Sequence, residues 1–266
     1  MLSAVPALFE NSQNWFNKNR DVRSMHLPLA DSPLTVLGII AVYLYFVLIY
    51  GPRRMNKKKA YDLLNIIQAY NMIQMLANGA VFIKICYNVF IVYDRFSFRC
   101  QSIDFSTSTA GLDEVYISYA YFLLKIFDLI DTAFFVLRKK QSHVSFLHVY
   151  HHSVMVVTAY CGLVFVPGGH ALMLGLWNTL VHTVMYFYYF LASLGSTNIW
   201  WKNYLTRLQL VQFVYLAIHF GQPLVSGNCE FPTFWLCYGL LQAIFVLVLF
   251  LKFYVQTYHN NQKKHK

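Results

Sequence analysis

The sequence predicts an all-α integral membrane protein with seven transmembrane helices. Three observations predict it. Hydrophobic residues fill 58% of the 266 positions and charged residues only 12%, about half the charge of a soluble domain. The apolar residues gather into runs long enough to cross a ~30 Å hydrocarbon core at ~1.5 Å per residue. Breaking signals separate most of these runs: Gly51-Pro52, Pro167-Gly168-Gly169, Gly195-Ser196, Gly221-Gln222-Pro223 and Pro232. No linker, repeat or low-complexity tract divides the chain, so residues 1–266 read as a single polytopic domain.

The predicted spans are residues 33–50, 62–91, 113–137, 144–166, 170–192, 204–223 and 232–256. The opening MLSAVPALFENSQNWFNKNR lacks an apolar core behind a basic start and does not read as a cleavable signal. Basic residues orient the spans. GPRRMNKKK follows the first span, RKK the third, Lys202 and Arg207 the fifth, and KKHK ends the chain. VPGGH and GQPLVSGNCEFP carry no Lys or Arg, and the connection after the second span has Arg95 and Arg99. Odd-numbered spans should therefore exit to the cytosol, with the N-terminus lumenal and the tail 257–266 cytosolic; Lys18, Arg20 and Arg23 oppose this assignment. The net charge of +10 would suggest nucleic acid for a soluble protein. Here it gathers beside the membrane, and no nucleic-acid partner is expected. Lys263 and Lys264 stand fourth and third from the end. They resemble the dilysine signal for retrieval to the endoplasmic reticulum, a receptor-read address. Cys100 and Cys229 both fall in lumenal connections, where oxidation permits a bridge. Cys86, Cys161 and Cys237 lie in spans and read as apolar filling.

Polar side chains inside spans carry the functional signal, because ionisable groups in hydrocarbon are costly and face a protein interior. The third span holds Lys125, Asp128, Asp131 and Thr132. The fourth holds His148, His151 and His152; the fifth Asn178, His182, Tyr186 and Tyr189; the sixth Thr206, Gln209 and Gln212. Steps of three and four place each set on one helical face. Counting from the connections puts Asp131, His151, His182 and Gln212 near one level on the cytosolic side of the midplane. Beyond them VMVVTAYCGLVFV turns apolar. A chamber polar at the cytosolic end and greasy toward the lumen suits an amphipathic substrate. Interhelical hydrogen bonding alone would explain a single Gln or Asn, but not three histidines, a lysine and two carboxylates at matching depth. His143, His170 and His219 stand apart and read as core or interfacial residues.

Three chemistries compete for this chamber. H-x-x-H-H also occurs in membrane di-iron desaturases and hydroxylases, and a zinc site from His148, His151 or His152 with His182 is geometrically possible. Yet His151-His152 is the only adjacent histidine pair, and a metal leaves Lys125 and the glutamines without a role, so no metal site is assigned. A receptor or transporter needs no enzyme chemistry, but a channel should be polar along its whole length. Acyl transfer uses an imidazole as nucleophile toward a thioester, or as the base that activates one. Cys161 lies ~14 Å along the helix from His152, too far to share the site. An acyl-imidazole would survive in a chamber that excludes water.

KIFDLIDTAFFVLRKK, HVYHHSVM, NTLVHTVMYFYYF and LTRLQLVQF resemble, in order and spacing, the signatures of the very-long-chain fatty acid elongases. The resemblance runs from about residue 33 to the tail. It implies seven helices, six of them ringing a tunnel, in a condensing enzyme of the endoplasmic reticulum. Its reaction joins a long-chain acyl-CoA to malonyl-CoA, giving a 3-oxoacyl-CoA two carbons longer, carbon dioxide and CoA, without metal or redox cofactor. It implies His151 as acyl acceptor, His152 and His148 as groups that orient it or move protons, and His182 completing the site. Asn178 and Gln212 would donate to an oxyanion, and Lys125, Asp128 and Asp131 would form a supporting charge network, with Tyr186 and Gln209 beside the site. The basic rim (Arg53, Arg54, Lys57, Lys58, Lys59, Arg138, Lys139, Lys140, Lys202 and Arg207) would meet CoA phosphates, unless it only reflects orientation. The reductases and dehydratase that finish the elongation cycle are the implied protein partners.

Overall fold

A computed structural model describes residues 4–93, 95–196 and 200–259. Among them there are helices, turns and connections but no strand. The helices are α1 (Ala4–Asn19), α2 (Pro33–Asn56), α3 (Leu64–Val92), α4 (Thr109–Leu137), α5 (Phe146–Phe165), α6 (Leu172–Ser193), α7 (Lys202–Ser226) and α8 (Thr233–Tyr254). Each predicted span coincides with one of α2 to α8. Helix α1 was not expected, because its sequence, AVPALFENSQNWFNKN, has no apolar run long enough for a span.

Local chemistry sets the boundaries. Ser32, Ser108 and Ser145 accept from the backbone N–H of Leu34, Gly111 and His148 and so start α2, α4 and α5. Gly227, at φ 71°, ends α7 in the left-handed conformation that a helix C-terminus favours.

Four helices, α2, α3, α7 and α8, are long and apolar enough to cross a membrane by length and composition. Helices α4, α5 and α6 carry the polar clusters, which dilute their apolar character. Leu76, Ile83, Leu241 and Val248 point outward and are more than half exposed, a surface that suits lipid rather than water. The chain is a helical membrane protein. Helix α3 packs on α6, α6 on α7, α7 on α8, α8 on α5, α5 on α4 and α4 back on α3, while α2 lies outside against α4 and α5.

The bundle end that carries Cys100 and Cys229 is tied by several polar contacts. These two cysteines are joined, Cα to Cα 5.6 Å. Glu114 accepts from the backbone of Gly169 at 3.0 Å and from the Tyr93 hydroxyl. Gly168, at φ 91°, has the Glu114 carboxylate where a side chain would stand, so only glycine fits. Arg23 pairs with Asp21 at 2.6 Å and donates to the carbonyls of Asp104, Ser106 and Gly111. These contacts hold the start of the chain to α4 and to the connection before it.

Candidate active site

The histidine motif occupies the first two turns of α5. His148 Nε2 lies 2.9 Å from Thr132 Oγ1, which lies 2.9 Å from the Tyr43 hydroxyl. His148 is thereby fixed to α4 and α2. His152 is buried, its ring 4.2 Å from that of His148 and 5.8 Å from that of His151. His151 differs from both. It is only partly covered and lines a cavity together with Asn178 and Gln212; among the described residues neither its ring nor that of His152 is hydrogen-bonded.

Behind this cavity, α3, α4 and α6 share one polar network. Lys125 Nζ donates to Asp128 Oδ2 at 2.7 Å and to Asn178 Oδ1 at 2.8 Å. His182 Nδ1 is 3.5 Å from both Lys125 Nζ and Asp128 Oδ2. Tyr121 donates to Asn178 Oδ1 at 3.0 Å. The Tyr186 hydroxyl lies 2.9 Å from Asp128 Oδ1 and 2.7 Å from Asp131 Oδ2. Gln74 Nε2 donates to Asp128 Oδ1 at 2.6 Å, and Tyr70 donates to the Phe127 carbonyl at 3.0 Å. Burying a lysine and two carboxylates is costly unless each is paired and hydrogen-bonded; Lys125 and Asp128 meet that condition as an ion pair, and Asp131 is held by the Tyr186 hydroxyl. The Asn178 oxygen is committed to Lys125 and Tyr121, so its NH₂ is the group left to face the cavity that it lines. Asn178 thus links the ion pair to the space beside His151.

A second cavity adjoins the first and reaches toward the disulfide end, lined by apolar groups such as Ile117, Leu163, Val166 and Trp235. The two share Thr158, Leu174, Phe220, Tyr238 and Gly239 as lining.

The structure therefore brings Lys125, Asp128, Asp131, Asn178, His182 and Tyr186 into one network and sets His151, Asn178 and Gln212 around one cavity. Three expectations are corrected. Gln209 does not join, since its Nε2 lies 3.8 Å from Met185 Sδ. Asp131 is not level with His182: Asp128 is, and Asp131 stands one turn farther along beside Tyr186. Counting from the connections assumed equal helix starts, but α4 and α6 run parallel and pair Lys125 with Asn178, Asp128 with His182 and Asp131 with Tyr186. His170 and His219 do not stand apart. Their rings stack at 3.6 Å, and each Nε2 is 3.0 Å from the other residue's carbonyl oxygen. Lys263 and Lys264 lie outside the described residues.

Tyr70 and Gln74 escaped the sequence reading. The signal was present, because Tyr70, Gln74 and Asn78 step by four along one buried face of α3. Of the basic rim, Lys139 is committed to the Lys58 carbonyl at 2.9 Å and Arg207 to the Tyr254 hydroxyl at 3.3 Å. Among the described residues no three His, Cys, Asp or Glu side chains converge to hold a metal ion. An unheld imidazole, beside amide donors and in front of a greasy cavity, suits attack on a long-chain acyl group.

Residues 28–266 match the GNS1/SUR4 family (ELO). The chain is 38% identical over 258 residues to very long chain fatty acid elongase 7 of Rattus norvegicus, covering 94% of this chain and 89% of that protein. It is 35% identical over 266 residues to a very long chain fatty acid elongase of Aedes aegypti, covering 99% of this chain and 74% of that protein. Very long chain fatty acid elongase 1 of Mus musculus is 34% identical over 259 residues, with 92% and 89% covered.

Proposed function

Since the chain belongs to the GNS1/SUR4 (ELO) family of fatty acid elongases, we propose that it is the condensing enzyme of elongation, a 3-oxoacyl-CoA synthase that works through an acyl-histidine. Its substrates are a long-chain acyl-CoA and malonyl-CoA. The observation that carries this reading is the contrast among the site histidines. His148 is bonded to Thr132, His182 lies against Asp128 and His152 is buried, while the His151 ring, with no hydrogen bond among the described residues, lines the cavity.

The reaction runs in two halves. The His151 imidazole attacks the thioester carbonyl, the carbon–sulfur bond breaks, and the imidazole proton passes to the departing thiolate, which leaves as CoA. Asn178 and Gln212 donate to the transient oxyanion. Malonyl-CoA then loses carbon dioxide, and the resulting enolate attacks the acyl carbonyl, forming the carbon–carbon bond and releasing His151. The product is longer by two carbons. Both halves consume only the two CoA substrates, with no metal or redox cofactor. His182, Lys125 and Asp128 hold Asn178 and set the electrostatics around the enolate.

In this reading all seven helices α2 to α8 span the endoplasmic reticulum membrane, the N-terminus is lumenal and the tail cytosolic. The circuit of α3 to α8 encloses the two adjoining cavities as one acyl tunnel, closed toward the lumen by Phe231 and Trp235. The uncommitted basic residues of the cytosolic rim meet CoA phosphates. The ketoreductase, dehydratase and enoyl reductase of the cycle are partners.

The test is intact-protein mass spectrometry after stearoyl-CoA alone, with released CoA counted in parallel and a His151→Ala control. An added acyl mass with matching CoA release, absent in the control, supports the acyl-histidine. Condensation on adding malonyl-CoA, without any prior adduct, would retain the elongase and discard the covalent step. No product with any chain length would discard both.

A further inference from the structure

The two cavities share a lining that includes an unusual wall. A Cβ added at Gly239 of α8 would lie 2.8 to 2.9 Å from Cγ, Cδ1 and Cδ2 of Phe220 on α7. Such a distance is shorter than a carbon–carbon contact at its optimum of ~3.5–4.0 Å, so the Phe220 ring rests directly on the glycine backbone. The ring has little room to retreat. It packs edge-on against His170 at 5.7 Å and against His219 at 5.4 Å. That histidine pair is itself locked by its stacking and its reciprocal carbonyl contacts. Any side chain at position 239 therefore drives the ring toward the open side, which is the passage between the cavities.

Distance along α5 places this neck on the substrate. Thr158, in the shared lining, is seven residues beyond His151, or ~10 Å at ~1.5 Å per residue. An extended carbon chain advances ~1.2 Å per bond, a third of the ~3.3–3.6 Å span of an extended residue. The neck then meets an acyl chain roughly eight or nine carbons from His151. Val166, lining the far cavity, is fifteen residues beyond His151, or ~22 Å, which corresponds to roughly eighteen or nineteen carbons.

We propose that Gly239 is a specificity-determining residue: with Phe220 it forms a neck that chains longer than roughly nine carbons must thread. The two cavities in series accept a chain of roughly eighteen carbons. This rests on the elongase reading and adds to it the residue that admits the distal half of the chain. The neck is distinct from the closed end at Phe231 and Trp235. The end limits total length, whereas the neck decides whether the second cavity is used at all.

The experiment measures condensation by the purified full-length protein with saturated acyl-CoAs from eight to eighteen carbons, for wild type, Gly239→Ala, Phe220→Leu and the double variant. Gly239→Ala should lose about tenfold or more on chains of about twelve carbons and longer, the scale of one overpacked contact. Its relative activity should rise toward the short end of the series. Phe220→Leu removes the ring that the new methyl strikes, so the double variant should recover the long-chain activity that Gly239→Ala lost. Equal loss at every chain length, or a double variant no better than Gly239→Ala, would overturn the neck. Wild-type protein that condenses no acyl-CoA would overturn the elongase reading itself.

Discussion

Two histidine pairs stand near the same two cavities, and their rings are held in opposite ways. His170 and His219 are stacked ring on ring, and each gives its Nε2 to the other's carbonyl. Their rings back Phe220 and Phe231. His151 and His152 are adjacent in sequence, yet their rings meet edge to face at 5.8 Å, and His151 lines the cavity with no hydrogen bond to its ring among the described residues. Burial and residue type therefore do not identify a reactive imidazole. The fate of its nitrogens does. An imidazole whose donor is already held by a carbonyl is a strut; one that faces an apolar cavity beside uncommitted amides can act on a ligand.

The sharpest break of this comparison is His151→Ala. Acyl transfer should fall by at least ~10³-fold, the scale of losing a nucleophile, while thermal stability barely changes because no described residue hydrogen-bonds to that ring. Steady-state CoA release and a melting curve on the same preparation check both halves. A large drop in Tm with residual activity would make His151 the strut.

Next in size is Lys125→Met. It leaves Asp128 buried beside Asp131 without a cation, an uncompensated charge that costs about 3–5 kcal/mol. Adding Asp128→Asn removes that charge and should recover much of the stability but little of the activity, since Asn178 loses its Lys125 contact in both variants. Denaturation of single and double variants in detergent, set against turnover, separates the two effects.

His170→Ala tests the strut directly. It frees the His219 carbonyl and removes a ring from behind Phe220, so stability should fall by about 1–3 kcal/mol. The folded fraction should still form the acyl adduct at His151. Failure of the adduct in folded protein would bring the far pair into the chemistry.

The sequence made the helices legible because apolar runs and glycine–proline breaks are local signals. Helix α1 was missed for the same reason, as its amphipathic pattern resembles neither a span nor a signal. The membership of the network was mostly legible from i, i+3 and i+4 steps, which also mark Tyr70 and Gln74. The register was not. Whether Asp128 or Asp131 faces His182 depends on how far α4 slides along α6, and the connections at their ends do not encode that slide. The pairing of His170 with His219 was invisible because the residues lie forty-nine positions apart; His219 stands two turns past Gln212 on the same face of α7, but nothing local names His170 as its partner. Phe220 over Gly239 was hidden likewise, since an apolar contact between neighbouring helices leaves no periodic trace.

The smallest effect expected concerns a residue that sequence periodicity grouped with the site. Gln209 stands three residues before Gln212 on α7, and both look like members of one stripe. Gln212 is buried and lines the cavity with His151. Gln209 is partly exposed and reaches only the Met185 sulfur at 3.8 Å, a weak acceptor. Replacing it leaves no buried donor unsatisfied and opens no cavity beside the reacting carbon. Gln209→Leu should therefore shift stability by no more than about 0.5 kcal/mol and leave acyl-enzyme formation unchanged across chain lengths. A side chain one turn away can share a helix with the site without sharing its chemistry, because ~100° of rotation per residue turns position 209 by ~60° from position 212. A clear loss of acylation in Gln209→Leu would mean that α7 presents a wider face to the substrate than the cavity lining indicates.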